Sequence, residues 1–178
     1  MKVIETRIPD VFKLEVKPFK DDRGAFERSF CSESLSVSGI EFDVKQGNVS
    51  TNRRMHTLRG FHYQDGSEGE TKILCCVAGR ILNVVLDLRK SSTSFLKIYH
   101  IELCAEDGIN LLVPSGCANA YLTLEDTTVV HYYMDKVYQP DTGNFKGLRF
   151  DDPIIDFQWP AQPAVISQRD ASFPDFRL

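Results

Sequence analysis

The chain has 178 residues, of which 42% are hydrophobic, and this length suits one compact domain over residues 1–178. Its formal net charge of −4 argues against a nucleic-acid-binding protein, because no basic stripe is available to neutralise phosphates along a duplex. No apolar run approaches the length of a membrane span, and the first residues lack the hydrophobic region of a signal peptide. We therefore expect a cytoplasmic protein that contacts no membrane.

Short strands separated by turn residues follow one another along the chain. Helical periodicity is limited to 32–38 and a little after Pro153. Because only sandwiches and closed barrels bury many half-apolar strands while hiding their edges, the pattern predicts an all-β fold, a jelly-roll β-barrel with short helical segments. The stretch 153–178 should form a C-terminal wrap over the barrel. The predicted strands cover 13–16, 46–50, 58–64, 72–77, 81–88, 98–103, 110–113, 120–124 and 129–134.

The cysteines indicate reduced thiols. Their number is odd, no CxxC pair occurs, and two neighbours lie inside an apolar strand pattern. We expect no disulfide framework and no zinc site. The residues are Cys31, Cys75, Cys76, Cys104 and Cys117.

The segment 58–64 carries the strongest chemical signal. It contains Arg59 and His62, and Lys72 follows soon after. Two cations and a titratable imidazole can hold an anionic substrate and move a proton next to a carbonyl. Strict strand alternation would put Arg59 and His62 on opposite faces, so we expect a bulge or kink at Gly60 that lets both reach one cavity.

Alternation also separates two candidates in the strand 129–134. Tyr132 shares a face with Val130 and Met134, whereas His131 points to the other face. Only one of the two can face the cavity.

Several short motifs follow one another in a specific order and spacing. They are 19–26, 46–50, 58–64 with Lys72, 85–89 with 91–92, 113–118, 138–140, 151–153, 159–160 and 167–170. Together they resemble the nucleotide-sugar epimerases typified by dTDP-4-dehydrorhamnose 3,5-epimerase, over nearly the whole chain. The resemblance implies a metal-free cupin barrel without a cofactor. It also implies a homodimer that exchanges its N-terminal strand and epimerises a 4-keto-6-deoxy sugar on a nucleoside diphosphate.

The resemblance and the chemistry together imply four catalytic roles. His62 suits the base that removes a proton next to the ketone, since imidazole titrates near neutral pH. By resemblance Asp170 orients His62, Lys72 stabilises the enolate oxygen and Tyr132 returns a proton on the opposite face. Taken alone, His62 would more often be a structural histidine and Tyr132 a packing aromatic. Asp170 would ordinarily be a solvated carboxylate, and Lys72 could be a surface lysine.

The resemblance also implies a set of substrate-binding residues. Arg59 and Arg23 match diphosphate contacts, and Gln46, Asn48 and Phe26 match nucleotide contacts. Arg23 and Phe26 would then serve the site of the neighbouring subunit. The remaining candidates for substrate contact are Asn119, Tyr138 and Arg169.

A metal-dependent barrel is the main structural rival. Such sites cluster histidines, yet Gln64 and Asn119 occupy the positions where further ligands would be expected. We therefore expect no metal.

Three departures from the family pattern leave the substrate open. Asn119 replaces an expected histidine, Arg28 replaces a glutamate, and the acidic residue expected after 138–140 is missing. The sequence favours inversion at C3, C5 or both. A 3,4-keto-isomerase and a non-catalytic sugar-nucleotide-binding protein remain as alternatives.

Overall fold

The computed structural model of the protein describes residues 1–64, 69–138 and 145–177. Strands dominate it, and the two helices of the described residues are a single turn or little more. The elements in chain order are β1 (Lys2–Glu5), β2 (Phe12–Glu15), β3 (Phe19–Asp21), β4 (Gly24–Phe26), α1 (Ser32–Ser36), β5 (Gln46–Asn52), β6 (Leu58–Gln64), β7 (Lys72–Ala78), β8 (Arg80–Asp87), β9 (Ile98–Cys104), β10 (Ile109–Val113), β11 (Cys117–Thr123), β12 (Thr128–Met134), β13 (Phe145–Gly147) and α2 (Gln168–Ala171).

Two antiparallel sheets form the barrel, which confirms the predicted jelly-roll fold. One sheet has six strands in the order β1-β2-β10-β7-β12-β5, and the other has five in the order β13-β6-β11-β8-β9. Strands β3 and β4 form a separate hairpin. The sequential strands β7 and β8 lie in different sheets, so the chain crosses between layers instead of forming one meander.

The core lies between the two sheets because each strand alternates its side chains. In β7, Leu74 and Cys76 face the other sheet and meet Val85 of β8. Their neighbours Ile73 and Cys75 face outward, where the segment around α1 covers them. One apolar layer therefore binds the sheets together, and further layers cover their outer faces.

The predicted C-terminal wrap is confirmed on the outer face of the five-stranded sheet. Phe157 and Trp159 pack against the cluster that contains Phe61 and Leu82. Phe61 lies 6.0 Å from Trp159 between ring centroids. Asp152 holds the C-terminal segment in place, because its carboxylate accepts a hydrogen bond from the Phe176 amide at 2.8 Å. Helix α2 lies within the wrap and brings Asp170 back to β6.

Several boundaries differ from the sequence prediction. β11 begins at Cys117 directly after the 114–116 turn, because Cys117 already pairs with Asp87 of β8. The prediction missed β1, β3, β4 and β13, which have three or four residues each and are too short for a periodic signal. In the described ranges no helix is long and apolar enough to cross a membrane.

Candidate active site

A cavity of about 790 Å³ opens between the two sheets. Strands β5, β7 and β12 line it from one sheet and β6 and β11 from the other, and the segment before and within α2 closes it. Ten of the predicted site residues line this cavity: Gln46, Asn48, Arg59, His62, Lys72, Asn119, Tyr132, Tyr138, Arg169 and Asp170.

Arg23 and Phe26 lie outside the cavity of their own chain. They belong to the β3–β4 hairpin, where Phe26 is 77% exposed and Arg23 pairs with Asp21 at 2.6 Å. The hairpin surrounds a separate small depression with Phe19. In this chain the two residues therefore do not lie with the other predicted site residues.

The bulge expected at Gly60 is confirmed and brings Arg59 and His62 to the same cavity. Asn119 of β11 pairs with His62 and Tyr121 with Arg59, so β6 holds one more residue than β11 over this interval. Gly60 has a φ of +104°, and a Cβ there would lie 2.4 Å from the Asn119 carbonyl oxygen. Only glycine fits this position.

His62 is held by Asp170. Its Nε2 lies 2.7 Å from the Asp170 Oδ1, and the backbone amide of Gly60 donates to the Asp170 Oδ2 at 3.2 Å. Burial alone would raise the pKa of Asp170, but the hydrogen bonds from His62 and Gly60 outweigh it and lower the pKa below its ordinary value. The ionised carboxylate keeps the imidazole proton on Nε2, which leaves Nδ1 able to accept a proton.

Tyr132 lies on the opposing sheet from His62, and both line the cavity. Burial raises the pKa of the Tyr132 phenol, with Tyr121 adding to the effect. The phenol therefore keeps its proton at neutral pH. His131 points away from the cavity and stacks on Tyr133 at 4.4 Å, as alternation along β12 predicts.

Lys72 is paired inside the cavity. Its Nζ lies 2.5 Å from the Glu70 Oε1, and the Glu70 side chain is buried while that of Lys72 is partly buried. Sequence analysis missed Glu70. Its spacing of two residues from Lys72 was the available signal, since residues i and i+2 of an extended chain share a face.

A polar shelf lines the wall formed by β5. Gln46 Nε2 donates to Asn48 Oδ1 at 2.9 Å, and Gln46 Oε1 accepts from the Tyr138 amide at 2.8 Å. Arg59 is oriented by a bond from its Nε to Asn52 Oδ1 at 2.9 Å. Gln46 and Asn48 present hydrogen-bond donors and acceptors suited to a nucleobase, and the exposed guanidinium of Arg59 suits a phosphate.

Asn119 offers an acceptor to a ligand. Its Nδ2 donates to the Asn83 Oδ1 at 3.0 Å and to the Val84 carbonyl at 3.2 Å. Both amide protons are used, so the Oδ1 is the group left for the cavity. Because an amide does not titrate, this acceptor is unchanged by pH.

An aromatic wall that sequence analysis also missed stands beside His62. Phe145 lies 4.9 Å from the His62 ring and 5.7 Å from Tyr138. The Arg169 guanidinium lies over the Phe145 ring at 3.7 Å. Phe145 follows a Gly-containing stretch without periodicity, so no local signal marked it. The predicted loss of an acidic residue after 138–140 falls on residues outside the described ranges.

Over the part of the chain that the structure describes, no three His, Cys, Asp or Glu side chains are grouped so as to hold a metal ion. A paired imidazole and carboxylate facing a phenol inside a barrel define an acid–base site for a small molecule. The chemistry that these three side chains can perform is proton transfer.

The comparisons with known proteins agree with this class. The dTDP-4-dehydrorhamnose 3,5-epimerase family model matches residues 5–177. The chain belongs to the dTDP-4-dehydrorhamnose 3,5-epimerase family and is an enzyme of the isomerase class.

Three relatives illustrate the similarity. A dTDP-4-dehydrorhamnose 3,5-epimerase from Shigella flexneri is 33% identical over 177 residues, which cover 99% of this chain and 96% of that protein. The Bacillus anthracis enzyme, crystallised with TDP and PPi, superposes with a TM-score of 0.93 at 34% identity and coverage of 98% and 99%. ChmJ, a 3'-monoepimerase from Streptomyces bikiniensis in complex with dTDP-quinovose, gives a TM-score of 0.88 at 28% identity and coverage of 96% and 85%.

Proposed function

We propose that the enzyme epimerises a 4-keto-6-deoxy sugar carried on a nucleoside diphosphate, inverting C3, C5 or both, without a metal or cofactor. The observation that carries the proposal is the 2.7 Å contact of His62 with Asp170, on the opposite side of the cavity from Tyr132. Epimerisation needs a base on one face of the sugar and an acid on the other.

The proposed reaction has two proton transfers. His62 Nδ1 takes the hydrogen from the carbon next to the ketone, and the C–H electron pair moves so that the ketone oxygen becomes an enolate. Lys72 stabilises that oxygen. The Tyr132 hydroxyl then donates its proton to the opposite face of the same carbon, and the ketone re-forms. Proton exchange with water restores Tyr132 and His62.

The relatives support a thymidine nucleotide. The Bacillus anthracis enzyme holds TDP, and the Streptomyces monoepimerase holds a dTDP-sugar. We propose that Gln46, Asn48 and Tyr138 contact the nucleoside and that Arg59 and Arg169 contact the diphosphate. Asn119 would accept a hydrogen bond from a sugar hydroxyl.

The test is proton NMR of dTDP-4-keto-6-deoxyglucose incubated with the enzyme in deuterated water. We expect loss of the C3 or C5 proton signal, and the position lost identifies the carbon that is deprotonated. The coupling constants of the product then show whether that carbon is inverted. His62→Ala should slow this exchange by at least about 10³-fold, because the base is gone. His100→Ala is the matched control, since His100 lies on β9 and stacks on Phe157 outside the cavity.

Each other outcome has a definite meaning. If no hydrogen exchange occurs with dTDP-, CDP- or GDP-linked 4-keto sugars, the remaining interpretation is a non-catalytic sugar-nucleotide-binding protein. Movement of the carbonyl to C3 without inversion would show a keto-isomerase on this scaffold.

We further propose that the active form is a homodimer of one domain spanning 1–178, with the N-terminal strands exchanged. Phe19 and Phe26 support it, because they are 64% and 77% exposed on a hairpin that contributes nothing to its own cavity. The two side chains are neighbours, because Phe19 pairs with Phe26 across the hairpin, and adjacent exposed apolar side chains suit an interaction surface. Arg23 and Phe26 would then complete the partner's site.

A cytoplasmic location is also proposed. Cys75, Cys76, Cys104 and Cys117 are buried free thiols. Such thiols suit a reducing compartment.

A further inference from the structure

Glu70 is the deeply buried carboxylate of the cavity wall that the proposed reaction does not use. Residues 70, 72 and 74 alternate with the outward residues of β7, so Glu70, Lys72 and Leu74 line the same cavity. The Glu70 side chain is only 2% exposed and bonds to Lys72 through Oε1.

The second oxygen of this carboxylate, Glu70 Oε2, is buried and lacks a hydrogen-bond partner among the described residues. Burying a carboxylate costs folding free energy unless it is fully paired, and an apolar side chain or a glutamine would fill this space without the charge. Packing alone therefore does not account for a charged residue here.

The charge has two electrostatic consequences inside the cavity. It fixes the Lys72 ammonium, whose four-carbon stem would otherwise sample many rotamers. It also adds to the effects that raise the pKa of Tyr132, after burial and Tyr121. Two other groups act on the pKa of Tyr132. Arg59 on β6 lowers it, and Tyr138 in the segment after β12 raises it.

We propose that Glu70 is a positioning residue of the proton-transfer site, which fixes the Lys72 ammonium where the enolate oxygen forms and keeps a negative charge beside the Tyr132 acid. This inference rests on the proposed epimerase function. It assigns Glu70 no contact with the substrate.

The test compares Glu70→Gln with the wild type on dTDP-4-keto-6-deoxyglucose in deuterated water. Glutamine has nearly the same shape but no charge. We expect kcat to fall at least about tenfold with KM changed less than about threefold, because orientation is lost while binding is kept. The alkaline limb of the kcat profile should move to lower pH, since removal of the negative charge makes Tyr132 lose its proton more easily.

Two further variants keep the test decisive. Glu102→Gln on β9 removes an exposed glutamate that pairs with Arg80, and it should leave kcat and the pH profile unchanged. Glu70→Asp keeps the charge but withdraws it by one methylene group, and we expect an intermediate kcat. If Glu70→Gln does not fold, as judged by loss of a cooperative thermal transition, the aspartate variant carries the test alone.

The proposal is wrong if Glu70→Gln folds and its kcat and the alkaline limb of its pH profile match the wild type. If Glu70→Gln does not fold, the proposal is wrong when Glu70→Asp folds and has the kcat of the wild type. An increase in KM alone would also overturn it, because it would make Glu70 a binding residue. Absence of exchange in the wild type would instead overturn the epimerase function, whatever the variants do.

Discussion

At the scale of single residues, contacts decide which histidine carries the chemistry. His62 bonds to the buried Asp170 at 2.7 Å and lines the cavity, whereas His131 stacks on Tyr133 on the outer face of β12. Burial lowers the pKa of His131, and among the described residues no carboxylate is hydrogen-bonded to it. An imidazole becomes a directed base only when a partner fixes its tautomer.

Asp170→Asn should therefore slow deuterium exchange into the substrate by roughly 10²–10⁴-fold while the protein stays folded. The asparagine carbonyl can still accept from the Gly60 amide, but its amide group would donate to His62 Nε2. The imidazole proton would then lie on Nδ1, the nitrogen that must be unprotonated to accept the substrate proton. Exchange rates measured by NMR at neutral pH, above the lowered pKa of Asp170, provide the comparison.

Asp156→Asn serves as the control, because Asp156 is exposed on the C-terminal wrap and does not line the cavity. Wild-type exchange in Asp170→Asn would show that His62 needs no carboxylate partner.

At the scale of elements, β6 depends on one glycine. The extra residue in β6 lets Arg59 and His62 reach the same side, and the backbone of β11 leaves no room for a Cβ at Gly60. A regular strand here would send Arg59 to the outer face, where the C-terminal wrap packs.

Gly60→Ala should lower the free energy of unfolding by more than about 2 kcal/mol, because strain at positive φ adds to a clash with strand backbone. Gly39→Ala separates the two effects. Gly39 has a φ of +78° with nothing within 4 Å of a built Cβ, so we expect about 1 kcal/mol and unchanged kcat.

Urea denaturation and the exchange assay measure both variants. Equal losses of stability would show that the β11 backbone moves away at no cost, and the bulge would then not depend on glycine.

At the scale of the whole molecule, the cavity of one chain lacks part of the predicted substrate-binding set. Arg23 and Phe26 are on the exposed hairpin, while the other ten residues already lie together. A homodimer with exchanged N-terminal strands would supply the missing pair.

Subunit complementation tests this assembly. Arg23→Ala should lower activity about tenfold or more, because a guanidinium contact to phosphate is lost, and His62→Ala should abolish it. In dimers that combine the two variants, the site with an intact His62 receives Arg23 from its partner. Random mixing by co-expression should therefore restore about a quarter of the wild-type activity per subunit.

Separately purified variants mixed without subunit exchange are the control and should show no recovery. If the co-expressed variants show no recovery of activity, Arg23 acts in the active site of its own subunit or in no active site.

Local pattern determined much of this protein. Strand alternation predicted β6, β7, β8 and β12, the opposite directions of Tyr132 and His131 and the need for a bulge at Gly60, because pleating and residue size act over a few neighbouring residues. The ordered motifs also indicated the family that the comparisons show.

Only the tertiary structure decided which side chains meet across long stretches of sequence. Asp170 reaches His62 because the C-terminal wrap packs its aromatic residues on the five-stranded sheet, and Phe145 reaches His62 because β13 pairs with β6. The pairing of Lys72 with the buried Glu70 became visible in the same way, since burial depends on the opposing sheet. Periodicity encodes the direction of a side chain, but contact and burial are set by the packing of distant elements.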